Sequence, residues 1–344
     1  MRHRLFRAAA ALLAVISLVA CHRRPLYELN ESIKLIVEVD TDNIKNVTSD
    51  IYNPAIPVPN VSTDMLRVMV YDPDNGKLLT QSFMPDKTKN AKGHEVFTST
   101  LKMGLGDFDF LVYNFDTPDT QISGEDNQGT ITASTNEIPA SLRANLMQTK
   151  ATDFNALKIY YEPDHLFVAR EPGVELVISD ELKVVETTAY TVIDTYYIQV
   201  HVEGLKNVST ASAVISGVAP SNQFGPNTRT NSPSGVYFNL VKSTDPKIEG
   251  ENKDVLCAVF NTFGKLDVTS DALFTVNVAD TKGKVHKVEI NLDEVFKSEN
   301  AVKHNWLLLD DTLVIPDPET PGTSGGGFQP TVEDWEQEEG GIEL

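Results

Sequence analysis

One cysteine carries the clearest chemistry in the sequence. Leu18-Val19-Ala20-Cys21 sets a small residue directly before a thiol. This is the pattern of a bacterial lipobox, in which the thiol is diacylated as the preceding segment is removed. Arg2, Arg4 and Arg7 supply a basic start, and Ala8 to Ala20 follows as an unbroken apolar stretch. Thirteen helical residues reach only about 20 Å, too short for a bilayer core of about 30 Å. Residues 1–20 are therefore expected to be a signal peptide, and 21–30 a tether anchored in lipid through Cys21. Two or three acyl chains hold a protein on a membrane stably, where one does not.

The other residue types capable of chemistry are scattered. The seven histidines, His3, His22, His94, His165, His201, His286 and His304, form no HExxH pair and no close pair suited to a metal. His201 lies on the polar side of an alternating run and is expected to face solvent. Cys257 sits in Val255-Leu256-Cys257-Ala258-Val259, where a thiol behaves as a small buried hydrophobe. There is no GxSxG elbow, P-loop or GxGxxG. Asp40/Asp42, Asp72/Asp74 and Asp107/Asp109 are i, i+2 pairs, a spacing that puts two carboxylates on one face for calcium or acid–base work. The DPDNG segment lacks the later acids and the closing Glu of a calcium loop, and 49 acids in 344 residues produce such pairs by chance. No catalytic residue, metal or cofactor is expected.

Charge narrows the partners. The chain holds 29 Lys and Arg against 49 Asp and Glu, a net charge of -20. Residues 1–20 include three arginines and no acid, so their removal leaves 26 basic against 49 acidic side chains. Affinity for nucleic acid comes from cations that displace phosphate counterions, so no nucleic-acid partner is expected. With 41% hydrophobic residues the chain can build a core.

The elements that must carry these residues read as strands. Period-two alternation recurs in Ile33–Val39, Met65–Tyr71, Leu78–Phe83, Val96–Leu101 and Phe108–Tyr113. Asp72-Pro73-Asp74-Asn75-Gly76 between two such runs predicts a hairpin. Asn114–Asn136 is turn-rich, Pro139–Met147 has helical character, and short runs at 157–161, 166–169 and 174–178 follow. Tyr196, Ile198, Val200 and Val202 share one face; Tyr197, Gln199, His201 and Glu203 share the other. Further strands are expected at 212–216, 235–240, 255–260, 273–278, 284–292 and 306–315, with a helical turn at Leu292, Val295 and Phe296. Many short strands joined by turns predict an all-β chain of two tandem antiparallel β-sandwich domains. The expected boundaries are 31–182 and 183–315, the first domain ending in the polar stretch 179–186.

Residues 316–344 are expected to be a Pro/Gly-rich linker and an acidic C-terminal edge strand. The last thirteen residues hold six acids, yet Phe328, Val332, Trp335, Ile342 and Leu344 are apolar. These five are the candidate residues for strand addition. Pro330 lacks an N–H, which confines such a strand to a sheet edge.

Several segments together carry a resemblance. They are the lipobox with Pro25-Leu26-Tyr27-Glu28, then MLRVMVYDPDNGK (65–77) and GDFDFLVYNFDT (106–117). Glu162-Pro163-Asp164-His165-Leu166-Phe167-Val168, Phe263-Gly264 and the ending Gly327-Phe328, Val332-Glu333-Asp334-Trp335 and Ile342-Glu343-Leu344 follow. The chain resembles the fimbrillin-like lipoproteins of the Bacteroides group, closest to an uncharacterised family related to fimbrial anchor and accessory subunits. The resemblance implies two transthyretin-like sandwiches and assembly by strand donation. In shaft subunits it implies removal of the first strand by a trypsin-like protease, after an Arg in the following loop. Here that loop, Thr41 to Thr63, has Lys45 and no Arg, which fits an anchor or accessory subunit that keeps its first strand.

The expected function is that of a non-enzymatic lipoprotein of the cell outer membrane, surface-facing, serving adhesion or fimbria assembly. Its expected partners are membrane lipid, through the acyl chains of Cys21, and other fimbrial subunits. Such lipoproteins that reach the surface often carry acids just after the cysteine, whereas this chain reads Cys21-His22-Arg23-Arg24-Pro25. The alternative is a surface glycan-binding lipoprotein of a polysaccharide-uptake system. That role needs exposed aromatics, and the two tryptophans, Trp306 and Trp335, both fall near the C-terminus.

Overall fold

The computed structural model describes residues 30–49, 56, 59, 61–115, 117–146, 157–244, 253–267 and 272–317. The first half contributes β1 (Asn30–Val39), β2 (Leu66–Tyr71), β3 (Leu78–Met84), β4 (Lys87–Lys89), β5 (Glu95–Gly104), β6 (Gly106–Asn114), β7 (Thr120–Ser123), β8 (Thr132–Thr135), β9 (Ile159–Tyr161), β10 (Phe167–Leu176) and β11 (Lys183–Thr191). The second half contributes β12 (Asp194–Glu203), β13 (Val208–Val218), β14 (Ser221–Gln223), β15 (Thr228–Arg229), β16 (Ser234–Thr244), β17 (Asp254–Thr262), β18 (Leu273–Asp280), β19 (Val285–Asn291) and β20 (Trp306–Val314). Among the described residues three short α-helices are interspersed: α1 (Asp42–Ser49), α2 (Ala140–Leu146) and α3 (Glu299–His304).

The fold is all-β, as the alternation predicts, with two large sheets each folded into a sandwich. The first runs β3-β2-β6-β10-β11-β1-β5-β4. It turns over at β10 and β11, which pair only through Phe167–Val168 and Tyr190–Thr191. Its two halves enclose Leu35 and Val37 of β1, Val68 and Val70 of β2, Phe97 of β5 and Phe110 of β6. The second runs β19-β18-β13-β16-β17-β12-β20. There β16 bends, pairing first with β13 and then, over Val241–Thr244, with β17. Phe238 and Phe260 stack at 4.2 Å in its core.

The hairpin predicted at 72–76 is present. Asp72 Oδ1 accepts from the Asp74 amide at 2.8 Å, and Gly76 takes the positive φ of 70° that closes the turn. The helix expected from Pro139 is α2. The pairing departs from the antiparallel expectation at three places: β1 pairs parallel with β11, β12 with β20, and β9 with β16. In each sandwich the first strand thus lies beside the last. The polar stretch 179–186 turns from β10 into β11, so the chain crosses between the two large sheets at Val192-Ile193.

The two sandwiches are welded by exchanged segments. β7 and β8 leave the first half and pair with β14 and β15 from the second, in a four-stranded sheet ordered β15-β14-β8-β7. β9 pairs parallel with β16 of the second sandwich. The small sheet covers the outer face of β2 and β6. There Met69, Tyr71, Leu111 and Tyr113 bury against Ile131, Ala133, Phe224 and Phe263. Tyr71 Oη donates to the Glu125 carbonyl at 3.0 Å, and Arg67 and Tyr113 bond the Glu125 carboxylate.

One face read as polar is buried. Tyr197 and Gln199 are covered, with His201 half-buried at the edge of the same face. The cover is α1, from the first half, whose Val47 packs with Tyr197, Cys257 and Trp306. Trp306 Nε1 donates to the Val47 carbonyl at 2.8 Å. Gln199 tolerates burial because its Oε1 accepts from Tyr197 Oη at 2.8 Å. Cys257 is fully buried, as its apolar run predicts.

Candidate functional site

The first strand sits in the middle of its half-sheet. β1 bonds antiparallel to β5 over its whole length and parallel to β11 from Ile33 to Val39. Its odd residues, Ile33, Leu35 and Val37, are fully buried, while Lys34, Ile36 and Glu38 alternate to the half-exposed face. The groove between β5 and β11 is therefore filled by the chain's own strand.

The large sheets end in four edge strands, β3, β4, β19 and β20. An unpaired edge is a template for another strand, and charges or brevity usually guard it. β4 is three residues long and carries Lys87 and Lys89; β19 carries His286, Lys287 and Glu289; β20 carries exposed Asp310 and Asp311. β3 reads Leu78-Leu-Thr-Gln-Ser-Phe-Met84, with no charge and no proline. Leu79 and Phe83 are about half exposed on it, and the Phe83 ring lies 5.4 Å from that of exposed Phe115. This edge is the unguarded one.

The Asp40/Asp42 pair has a third member that sequence spacing misses. His94, at the start of the β5 hairpin, is buried with Nδ1 2.6 Å from Glu38 Oε1 and Nε2 2.8 Å from Asp42 Oδ1. The hydrogen bonds that His94 donates to Glu38 and Asp42 hold the imidazole pKa above its ordinary value and both carboxyls below theirs. Asp40, Asp42 and His94 bring ligand atoms within 4.8 Å of one another. Both ring nitrogens are already engaged, so the imidazolium supplies the positive charge between the acids and clamps α1 to β1. The other two pairs serve turns: Asp72 caps its own hairpin, and Asp109 accepts from the Gly173 amide at 2.7 Å.

Glu162-Pro163-Asp164-His165 forms the floor of a cleft of about 560 Å³. The segment is a bracket between the sandwiches. The Asn261 amide of β17 donates to Glu162 Oε2 at 3.0 Å, and Asn261 Nδ2 donates to the Pro163 carbonyl. From β6, Asn114 Nδ2 donates to the His165 carbonyl at 3.0 Å. Asp164 Oδ2 accepts from the Asp119 and Thr120 amides, both at 2.8 Å. Burial pushes the Glu162 carboxyl up to about 7 and the His165 imidazole down. Among the described residues that line the cleft, the one side-chain hydroxyl, on Ser62, donates to Glu95 at 2.9 Å. These groups hold the two halves together.

A pH dependence follows. A carboxyl whose folded pKa lies above its unfolded value of about 4.3 stabilises the fold fully below that value, and loses this contribution as pH rises through about 7. Between pH 5 and 8 the group is expected to remove up to about 3 kcal/mol. Glu162→Gln keeps an acceptor for the Asn261 amide and should flatten most of this slope. His94, with its raised pKa, adds a loss in the same direction, and His165, with its lowered pKa, opposes it. Urea midpoints measured across that range decide it; equal slopes in both proteins refute the assignment to Glu162.

Cys21 and the tail residues Phe328, Val332, Trp335, Ile342 and Leu344 lie outside the described residues. Trp306 is buried and stacks on His304 at 4.5 Å, so it offers no sugar platform.

The family model described as a domain of unknown function, DUF5119, matches residues 55–239. The chain belongs to this family. Over 332 residues, 95% of this chain and 85% of the relative, it is 23% identical to a Bacteroides ovatus protein named "Putative fimbrium anchoring subunit Fim4B". A crystal structure of a "putative adhesin" from Bacteroides ovatus superposes with a TM-score of 0.55 at 19% identity, covering 84% of this chain and 94% of that one. The fimbrial anchor protein Mfa2 from Porphyromonas gingivalis gives a TM-score of 0.46 at 15% identity, covering 83% and 90%. The resemblance read from the sequence segments is borne out, and this DUF5119 protein shares the fold of the first of these structures.

Proposed function

We propose that this protein is a non-enzymatic, lipid-anchored subunit of the cell envelope that anchors or accompanies a fimbrium at the outer membrane and meets other subunits by strand addition. The seating of β1 carries the reading. A subunit whose own first strand fills the groove between β5 and β11 is not a link that waits for a neighbour's strand there. A terminal or accessory position in an assembly suits it. The edge left for a partner strand is then β3, uncharged along its length and flanked in sequence by Lys77, Lys87 and Lys89. An extended acidic segment with alternate apolar residues, of the kind at 328–344, matches that chemistry.

The exposed Phe83–Phe115 pair is the feature nearest to a glycan platform. Its rings are inclined at 47° and present no shared flat face. The assembly reading is the better supported.

The test uses whole cells. Cys21→Ala is expected to move the protein from the detergent phase to the aqueous phase. Leu79→Lys with Phe83→Lys guards the β3 edge as lysines guard β4, and should leave the protein in the membrane while abolishing its cross-linking to fimbrial subunits. Unchanged cross-linking of a folded double variant overturns strand addition at β3.

A further inference from the structure

Among the described residues, the fourteen exposed large apolar side chains are not spread evenly. Leu105, Val177, Ile178, Leu182 and Val184, exposed between 38% and 63%, crowd one end of the first sandwich. Register fixes which end. Asn30 and Glu31 of β1 lie opposite Gly104 and Met103, Gly106 lies opposite Leu176, and Lys34 opposite Val184. The β5–β6 turn and the β10–β11 turn therefore flank the point where β1 begins, and Val177, Leu182 and Val184 share a cleft with Glu31 and Ser32.

That point is where the chain arrives from Cys21. Cys21 lies nine Cα-to-Cα steps from Asn30, and at no more than 3.6 Å each they reach about 30 Å. An acylated Cys21 therefore confines this end of the sandwich to the neighbourhood of the bilayer. Apolar residues of this size clustered in water mark a surface that is covered.

We infer that the Leu105, Val177–Ile178 and Leu182–Val184 tips rest in the interfacial layer of the membrane, a second contact that fixes the tilt of the protein on its anchor. The inference rests on the lipid anchor proposed above. The lipid it fits is zwitterionic. Glu31, Asp107, Glu175, Asp180 and Glu181 at this end are balanced by Lys34, Lys102 and Lys183 and by Arg23 and Arg24 beside Cys21, so no net charge selects anionic headgroups.

The test uses the full-length lipidated protein on phosphatidylethanolamine–phosphatidylcholine vesicles. An environment-sensitive fluorophore on Ile178→Cys reports the tip, because Cys257 is fully buried and Cys21 is acylated. The control is Tyr190→Cys, exposed near the opposite end of β11. The expected result is flotation of both with the vesicles, and a blue shift at 178 that spin-labelled lipid quenches while 190 stays unquenched. Flotation with 178 as unquenched as 190 overturns the contact and leaves the anchor standing. Absence of flotation rejects the anchor at Cys21, and the contact with it. A blue shift at 178 without vesicles, accompanied by self-association, makes a second copy the cover and overturns the lipid assignment.

Discussion

Leu35→Ala is expected to cost about 2–5 kcal/mol, the range for a large buried side chain truncated where its surroundings relax only partly. Leu35 is fully buried at the centre of β1, opposite Ser99 of β5 and Val185 of β11. Both neighbours are bonded to β1, so neither closes on the cavity without breaking its own ladder. Against a typical total stability of about 5–15 kcal/mol the loss is large. Lys34→Ala, one residue away on the half-exposed face, is expected to stay within about 0.5 kcal/mol. Denaturant midpoints of the two variants make the comparison. A Leu35→Ala cost below about 1 kcal/mol would mean that β1 holds its groove through its backbone alone, and would weaken the view that its side chains make it permanent.

Gly225→Ala should be costlier still than its chemistry suggests. A Cβ at Gly225 would stand 1.8 Å from the Gln128 carbonyl oxygen and 2.9 Å from Ile131 Cγ2. The first is backbone and does not swing aside. The β14–β15 turn must then separate from the β7–β8 loop, in the small sheet that joins the two halves. Arg170 Nε, which donates to the Phe224 and Gly225 carbonyls at 2.8 and 3.1 Å, loses its geometry as well. Overpacking of this kind costs about 3 kcal/mol or more. The expected signature is a lower melting temperature, with the single unfolding step broadening or dividing as the sandwiches uncouple. Gly104→Ala, where a Cβ meets nothing within 4 Å, serves as the control. Equal melting of the two variants would show that the weld at Gly225 yields without penalty.

What the sequence disclosed depended on how local each cause was. The hairpin at 72–76 is decided by Asp72, Asn75 and Gly76 within one turn, and it was legible. Alternation in β1, β2, β6 and β12 marks strands because one face of each meets a core. The helix α1 left no such mark. Its sequence, DNIKNVTS, is polar and short, and its place is set by Val47 meeting Trp306, a residue far along the chain. The same contact buries Tyr197 and Gln199, which alternation alone assigns to water. β7 and β8 are four residues each inside a turn-rich stretch, and only the pairing of β8 with β14 extends them into a sheet. The parallel pairs have no local signal, because first and last strands meet only in the finished sandwich. His94 with Glu38 and Asp42 is likewise a meeting of distant segments. Asp40-Thr41-Asp42 was visible; the base between the acids was not. The uncharged β3 edge, by contrast, stood in plain view as LLTQSFM, and topology was needed only to know that one side of it, beyond the bond from the Leu78 amide to the Asp126 carbonyl, is an edge.

The seat of β1 also decides how the protein bears load. On the lipid anchor proposed above, a pull enters at Asn30 and runs along the strand axis. The bonds to β5 and to β11 flank the strand on both sides, so sliding it lengthwise strains them together. An edge strand drawn sideways gives up its bonds one after another, at a force set by the weakest. With antiparallel and parallel neighbours holding it at once, β1 works as a shear joint, and the buried Ile33, Leu35 and Val37 act as teeth that must leave their sockets in the same instant. Under tension the first sandwich is thus expected to hold until it fails all at once, whereas a partner strand laid on β3 detaches progressively if the pull turns across it.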